Sequence, residues 1–428
     1  MNIELQCQLV RRVLAHLDAR TTDSDASMTT VPIEAYADAK RIDRERERLF
    51  RDYPLIVGHV SQVPNPGDFF THDASGVPLI ITRGNDHKLH ALINVCRHRG
   101  TRVENQPCGT KAAFVCPYHA WTYGRDGALL GVPHEKAFVA KPQPSCSANG
   151  TPPNGVVAIG TKTPTAHDIA GAQMFARGSS STVDGRALPR EGRGLVEVPI
   201  GVVAGLIFVR PTPLRDGESR KLDAGGWIGS LGAELDGFGL TSSFVYAPLS
   251  VERDLSWKLG VDVFLETYHL RSTHRETIYR MFFDNVGLVD TVGPHLRNVF
   301  PKRTIRELSV MPDGWVLRHH ANVLYHLFPN TLILIEPDHA AVLHLWPIDA
   351  GRTRLEAYML VPEEPVSEKA RAYWDANNEI LLDAIDEDFT MGESIQRGLS
   401  SGANRQITFG AFEHALAHFH AQIERLSA

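Results

Sequence analysis

The stretch Cys96–Trp121 reads CRHRGTRVENQPCGTKAAFVCPYHAW and contains two matched pairs of metal-ligating residues. Cys96 and His98 form the first pair, and Cys116 and His119 form the second pair after 17 intervening residues. Each pair can lie on one tight loop, so that two thiolates and two imidazoles surround a common point. The sequence therefore predicts a metal centre with four protein ligands.

The composition of each pair distinguishes a zinc site from an iron-sulfur cluster. Structural zinc sites with two cysteines and two histidines usually keep the cysteines in one pair and the histidines in the other. Here each pair holds one cysteine and one histidine. This pattern suits a [2Fe-2S] cluster of the Rieske type, in which two thiolates bind one iron and two imidazoles bind the other. A zinc site is the alternative.

On these residues the chain resembles the catalytic (alpha) subunit of the Rieske non-haem iron oxygenases. The family motif is also matched by Arg99-Gly100 and by Pro117 to Trp121. The family includes aromatic ring-hydroxylating dioxygenases and the choline, glycine betaine and carnitine monooxygenases. The resemblance implies that the two pairs bind a [2Fe-2S] cluster, and that a mononuclear Fe2+ centre lies elsewhere in the chain.

Two histidines of the later sequence, His269 and His274, are candidates for that second centre. A regular helix would rotate residues five apart by about 140 degrees, which is too far for two ligands of one ion. We therefore expect the helix to end or to widen at these residues. Two imidazoles and one carboxylate form the facial triad of oxygen-activating non-haem iron.

The carboxylate must come from a distant segment, and four candidates cluster there: Asp383, Asp386, Glu387 and Asp388. From residue types alone, all four remain open. The resemblance implies Asp388 as the third ligand, with Glu387 next. The family shows a Glu-Asp pair, a Glu five residues after the Asp and then Gln-Arg-Gly, and this chain repeats the spacing with Glu393 and Gln396-Arg397-Gly398.

Glu266 precedes His269 by three residues and would share its helix face. The resemblance implies that Glu266 bridges two metal centres by contacting His269 of its own subunit and His119 of the neighbouring subunit. It further implies a ring of subunits, a homotrimer closed head to tail, with or without a small beta subunit. Two positions depart from the usual family pattern. Most relatives carry Asn at the position of Val263, and Glu at 266 is typical of the single-subunit monooxygenases.

Length and composition indicate an ordinary globular protein of two domains. The chain has 428 residues, of which 43% are hydrophobic and 22% charged, and no apolar run long enough for a membrane helix. A net charge of -6 gives no basic surface for nucleic acid. Beyond the two pairs, the scattered cysteines Cys7, Cys108 and Cys146 do not suggest a disulfide framework, and we expect a cytoplasmic protein without a signal peptide.

The order of patterns predicts four regions and an α+β fold. Residues 1–50 are expected to be a helical segment, Leu5–Leu17 and Ile33–Phe50, that packs on the catalytic domain. Residues 51–141 are expected to form a small antiparallel β Rieske domain. Residues 142–190, rich in Pro, Gly and Ser, are interpreted as an inserted loop, with an active-site lid as the alternative. Residues 191–428 are expected to form the larger catalytic domain.

Within the catalytic domain, alternating apolar runs predict an antiparallel sheet covered by helices. The predicted strands are Trp315–Arg318, Val323–Phe328, Thr331–Glu336, Ala341–Trp346 and Arg354–Leu360. The predicted helices are Ser367–Glu387, with Ser367 as N-cap, and Ala411–Leu426.

The parts together predict a Rieske oxygenase that uses O2 and electrons from NAD(P)H. The chain has no dinucleotide-binding fingerprint, so a separate flavin reductase, a ferredoxin or both must supply the electrons. The leading expectation is hydroxylation of a small aromatic compound, as in aromatic hydrocarbon catabolism. The alternatives are monooxygenation beside a nitrogen, giving N-demethylation or C–N cleavage, and a non-enzymatic Rieske electron carrier.

Overall fold

A computed structural model describes residues 1–138, 188, 190–215, 217–310 and 316–428. Almost all of the predicted insertion at 142–190 lies outside these residues. Within the described ranges, no helix combines the length and the apolar character that crossing a membrane requires.

The first half of the chain is mainly β. Its elements are α1 (Ile3–Ala19), β1 (Thr29–Pro32), α2 (Glu34–Ala37), α3 (Ala39–Asp52), β2 (Leu55–His59), β3 (Asp68–His72), β4 (Leu79–Arg83), β5 (Leu89–Ile93), β6 (Cys108–Thr110), β7 (Phe114–Val115), β8 (Thr122–Tyr123), β9 (Leu129–Gly131), β10 (Ile200–Val203) and β11 (Leu206–Val209).

The second half mixes helices with long strands. Its elements are α4 (Ala224–Ile228), α5 (Leu231–Asp236), β12 (Phe244–Arg253), α6 (Trp257–Asp262), α7 (Leu270–Thr273), β13 (Leu288–Val292), β14 (His295–Pro301), α8 (Leu317–His320), β15 (Ala321–Leu327), β16 (Thr331–Ile335), β17 (Ala340–Pro347), β18 (Thr353–Val361), α9 (Glu368–Leu399), β19 (Gln406–Phe409) and α10 (His414–Ser427).

The small β unit presents the two ligand pairs on neighbouring loops. One sheet has the order β5-β4-β3-β6 and another the order β7-β8-β9. The first pair follows β5 and the second lies between β7 and β8. A third sheet, β10-β11-β2, adds strands from beyond residue 191 to this unit. Strand β11 completes its hydrogen bonds with β2, while its Leu206 and Phe208 pack in the same core as β15 of the large sheet. The boundary at 191 stays a prediction.

The second half is built on a seven-stranded antiparallel sheet in the order β12-β18-β17-β16-β15-β14-β13. Side chains alternate between its faces: on β15, Leu324 packs into the core shared with α3, α6, α9 and α10. Val323 and Tyr325 of the same strand pack on the other face with α1. The predicted α+β class, with an antiparallel sheet covered by helices, is confirmed.

Two predicted elements need correction. Trp315–Arg318 was predicted as a strand, but Leu317–His320 forms the one-turn helix α8. Its first N–H donates to the side chain of Gln6 (2.9 Å), and the buried Leu317 leads the chain directly into β15. The helix predicted to end at Glu387 continues to Leu399 because its later turns still bury apolar residues.

The N-terminal helix α3 packs against α6, the helix that leads to the candidate histidines, and forms a buried ion pair with it. Lys258 of α6 and Glu45 of α3 form an ion pair with no exposed side-chain surface, 2.6 Å long. Glu45 also accepts from the indole of Trp257 (3.1 Å). Burial lowers the pKa of Lys258 to about 8, although the nearby Glu45 carboxylate opposes that shift. The ammonium group therefore depends on Glu45 for its charge.

Replacing one partner of this pair is expected to destabilise the protein more than replacing both. Glu45→Leu leaves a buried cation without its counterion and should cost about 3–5 kcal/mol of unfolding free energy. The double variant Glu45→Leu/Lys258→Met removes both charges and should recover part of the loss. Calorimetric unfolding of the three proteins measures the difference, and equal losses in the single and double variants would contradict it.

Candidate metal centres

The two ligand loops, residues 96–101 and 116–121, have the same backbone structure. In each loop the cysteine N–H donates to the carbonyl five positions later, and the N–H four positions later donates to the cysteine carbonyl, at 2.8 to 3.0 Å. Gly100 and Ala120, four positions after the cysteine in each loop, both have left-handed backbones, with φ of 79° and 55°. Two sequence pairs of different spacing are thus held on matching turns.

The four predicted ligand side chains converge between these loops. The thiols of Cys96 and Cys116 lie in a buried apolar cluster, and the imidazoles of His98 and His119 lie at its half-buried edge. The Nδ1 atoms of the two imidazoles are 3.1 Å apart. Burial, then the charges of His119 and Arg99, lower the pKa of His98. A neutral imidazole is the form that binds a metal, so the arrangement suits a cluster with two sulfur and two nitrogen ligands.

One residue beside this site escaped the sequence analysis. The hydroxyl of Tyr123 lies 3.2 Å from the sulfur of Cys96 and accepts from the N–H of Arg97 (3.0 Å). Burial and the contact with Cys96 raise the pKa of Tyr123, so the phenol stays protonated and can donate to a thiolate. A Tyr two residues after a motif Trp carries no sequence signal of this role.

Tyr123→Phe is expected to make the reduction potential of a cluster bound here more negative. A hydrogen bond to sulfur stabilises the reduced, more negative cluster, and its loss should shift the potential by roughly 40 mV for each ~1 kcal/mol of differential stabilisation. Redox titration followed by visible absorption measures the shift. An unchanged potential with an intact cluster spectrum would show that the hydroxyl does not act on the sulfur.

The second candidate site forms where the helical segment breaks. Helix α6 ends at Asp262, a turn follows, and the short helix α7 then runs between His269 at its N-cap and His274 at its C-cap. The two rings therefore leave the geometry of a regular helix, and their centroids lie 5.2 Å apart. The expectation that the helix must end here agrees with the structure.

Two imidazoles meet one carboxylate oxygen at this break. Oδ1 of Asp388 lies 2.9 Å from Nε2 of His274 and 3.3 Å from Nε2 of His269. Among the residues that the structure describes, this buried oxygen nevertheless has no partner in hydrogen-bond geometry. One ligand atom from each residue lies within 4.8 Å of the others. Three donors directed at a common point without hydrogen-bonding one another fit a bound metal ion.

The opposite nitrogen of each imidazole is held by a second carboxylate. Nδ1 of His269 donates to Oε1 of Glu266. Nδ1 of His274 donates to Oε2 of Glu387 at 2.6 Å. Such bonds fix the tautomer and the ring orientation, leaving Nε2 free to bind a metal. Burial alone would lower the pKa of His269, but the carboxylates of Asp388 and Glu266 outweigh it and raise that pKa to about 10. A metal ion that binds at Nε2 must therefore displace a proton.

The four carboxylate candidates all lie on α9, but their side chains have different partners. Asp388 faces the imidazole Nε2 atoms, and Glu387 faces Nδ1 of His274, a contact that the sequence did not reveal. Asp386 pairs with Arg253 (2.6 Å), and Asp383 is exposed. The structure thus brings Asp388 to the histidines, and its role as an iron ligand remains a prediction.

Glu387→Ala is expected to weaken iron binding without removing a ligand. Releasing Nδ1 of His274 frees the ring to rotate, and loss of such a supporting partner typically costs about 10–100-fold in metal affinity. Asp383→Ala on the same helix is the control and should bind iron as the unaltered protein does. Competition with a chelator measures both affinities, and equal values would contradict the assignment.

Comparisons with known proteins agree with this architecture. The description "Rieske [2Fe-2S] domain" matches residues 54–146, and "Ring hydroxylating alpha subunit (catalytic domain)" matches residues 243–428. Chloroplastic choline monooxygenase of Amaranthus tricolor is 24% identical over 430 residues, which cover 99% of this chain and 83% of that protein.

Two solved structures share the fold. The quaternary ammonium Rieske monooxygenase CntA in complex with L-carnitine has a TM-score of 0.70 at 20% identity, over 95% of this chain and 97% of that one. Naphthalene 1,2-dioxygenase from Rhodococcus sp. bound to indole has a TM-score of 0.68 at 20% identity, over 99% and 98% of the two chains. At this identity the likeness concerns the fold alone.

Proposed function

Because this chain belongs to the Rieske non-haem iron oxygenases, we propose that it hydroxylates a small organic substrate at iron held by His269, His274 and Asp388. The observation that carries the proposal is the meeting of two Nε2 atoms and one carboxylate oxygen, with both Nδ1 atoms held by other carboxylates. A non-enzymatic electron carrier would have no use for this second set of ligands.

The proposed cofactors divide the reaction between two centres. A [2Fe-2S] cluster bound by Cys96, His98, Cys116 and His119 supplies one-electron transfer, and Fe2+ at the second site supplies O2 activation. The chain's own residues orient these groups. Asp388 and His274 are buried, so the protein also keeps bulk water from the atoms that would hold the iron.

Electrons are proposed to come from NAD(P)H through a separate protein. The sequence has no Gly-rich dinucleotide fingerprint, and the family requires a reductase or ferredoxin. Tyr118 is exposed and its ring lies 3.7 Å from that of His119, so an aromatic surface covers the imidazole edge of the cluster site. We assign this edge as the side from which electrons leave or enter the cluster.

The proposed assembly is a cytoplasmic homotrimer in which Glu266 couples neighbouring subunits. Glu266 already accepts a hydrogen bond from Nδ1 of His269, and His119 lies half-buried at the edge of its own domain beside the exposed Tyr118. One related structure is described as giving insights into inter-subunit electron transfer, and we extend that arrangement to this chain. Glu266 would then connect His269 with His119 of a neighbouring copy.

The share of this chain that the relatives cover favours a methylated amine as substrate, with oxidation at a carbon beside the nitrogen. Choline, glycine betaine and carnitine monooxygenases match over 87% to 99% of this chain, whereas a biphenyl dioxygenase alpha subunit matches over 26%. Glu at position 266 agrees with the monooxygenases. We therefore place a methylated amine first and the aromatic substrate of the sequence-based expectation second.

One structural observation does not help the methylated amine. A cage of aromatic rings would hold a quaternary ammonium group through cation–π contacts. After His274, the rings of Tyr279 and Phe283 have the guanidinium of Arg303 at 5.9 and 5.6 Å. Because a cation of the chain itself engages this pair, it gives no support for a substrate cation at that place.

The proposed function predicts substrate-dependent NAD(P)H oxidation by the reconstituted enzyme. With a compatible reductase, choline, glycine betaine and carnitine should stimulate NADH consumption, with formaldehyde or an aldehyde as product. Naphthalene and biphenyl test the aromatic class through hydroxylated products. Asp388→Ala is the control, since it should keep the cluster spectrum, lose one of three irons per chain and form no product. Equal product formation by Asp388→Ala would contradict the proposal.

A further inference from the structure

Three buried polar side chains from distant parts of the sequence meet at the end of α6. The hydroxyl of Tyr36 in α2 donates to Oδ2 of Asp262 at 2.6 Å. Nε2 of His420 in α10 lies 3.1 and 3.2 Å from the two carboxylate oxygens and 2.9 Å from the Tyr36 hydroxyl. Each residue is at most 6% exposed. We call this set the Asp262 triad.

The triad lies in apolar surroundings that leave its partners little freedom. The ring of His420 packs 5.0 Å from Tyr36, 5.6 Å from Phe409 and 5.2 Å from Phe419. A carboxylate removed from water needs hydrogen-bond donors, and here they come from Tyr36 and His420. The position of Asp262 is therefore fixed by two helices that are remote from it in sequence.

A short turn connects Asp262 to the candidate bridging residue Glu266. The N–H of Leu265 donates to the carbonyl of Asp262 at 3.0 Å, and Leu265 is buried. The next residue, Glu266, accepts from the N–H groups of Tyr268 and His269 and from Nδ1 of His269. A displacement of Asp262 would therefore also move the Glu266 carboxylate, which lies only four residues further along the chain.

The C-terminal segment touches this turn at both ends. His420 holds Asp262 at its beginning, and the ring of Phe412, before α10, packs 5.0 Å from the ring of Tyr268 at its end. Helix α10 and the residues before it thus contact the 262–268 turn at Asp262 and at Tyr268.

We propose that Tyr36, Asp262 and His420 are positioning residues that hold Glu266 in place for electron transfer between the two metal centres. The inference rests on the proposed function. It assigns the N-terminal α2 and the C-terminal α10, which contribute no ligand to either centre, a part in the rate of that transfer. Supporting residues of this kind matter because misplacement by a fraction of an ångström weakens a functional contact.

The test compares Tyr36→Phe with a matched variant elsewhere. Tyr325→Phe is the control, because its hydroxyl also donates to a buried carboxylate, Glu234 (3.0 Å), but on the opposite face of the large sheet. Holoenzyme with the cluster reduced by dithionite is mixed with oxygenated buffer that contains whichever of choline, glycine betaine and carnitine stimulates NADH consumption. The visible absorption of the cluster is then followed. Iron content and the EPR spectrum of the reduced cluster are measured on each protein.

In Tyr36→Phe, the reduced cluster is expected to be oxidised roughly tenfold more slowly than in Tyr325→Phe, at equal iron content and with an unchanged EPR spectrum. Asp262→Asn, which keeps the side-chain volume, should show the same slowing and serves if Tyr36→Phe folds poorly. Rates in both triad variants equal to the Tyr325→Phe rate would overturn the inference alone. If the unaltered enzyme oxidises its cluster no faster than Asp388→Ala, the proposed function fails and the inference fails with it.

Discussion

A single carboxylate oxygen, Oδ1 of Asp388, is approached by two imidazole nitrogens in a buried place where none of the three forms a proper hydrogen bond with the others. Buried polar atoms normally find partners, so this arrangement is costly without an ion between the donors. The local structure serves that meeting. Helix α6 ends early, α7 is reduced to one turn, and Glu266 and Glu387 hold the far side of each ring. The long helix α9 delivers Asp388 from more than 100 residues away.

Both centres use the same structural means, which is a short turn held by its own backbone and by a neighbouring side chain. In the small β unit, matching turns place Cys96 and Cys116 so that two differently spaced pairs become equivalent. A phenol, Tyr123, then contacts one sulfur. In the large domain, carboxylates contact the histidines. The reactive groups thus lie on loops, while the strands and helices that carry these loops supply the rigidity.

Much of this arrangement could be predicted from the sequence, since ligand pairs and strand patterns are local signals. Alternating apolar residues predict strands β15 to β18, and the side chain of Ser367 predicts the start of α9. Other features depend on contacts made after folding. Helix α8 stands in place of a predicted strand, and its first N–H donates to the side chain of Gln6. Strand β11 pairs with β2, which precedes it by about 150 residues. Glu387 reaches His274 only once α9 packs. The Asp262 triad joins residues up to 384 positions apart, and no sequence spacing announces it.

In the proposed assembly, the cluster of one subunit serves the iron of another through Glu266. This arrangement is tested most directly in mixed assemblies that combine Cys116→Ser, which lacks the cluster, with Asp388→Ala, which lacks the mononuclear iron. With the substrate that stimulates NADH consumption present, O2 is expected to oxidise the reduced clusters of the mixed assemblies, although neither variant alone supports this reaction. Clusters that stay reduced in mixed assemblies, as they do in Asp388→Ala alone, would contradict it.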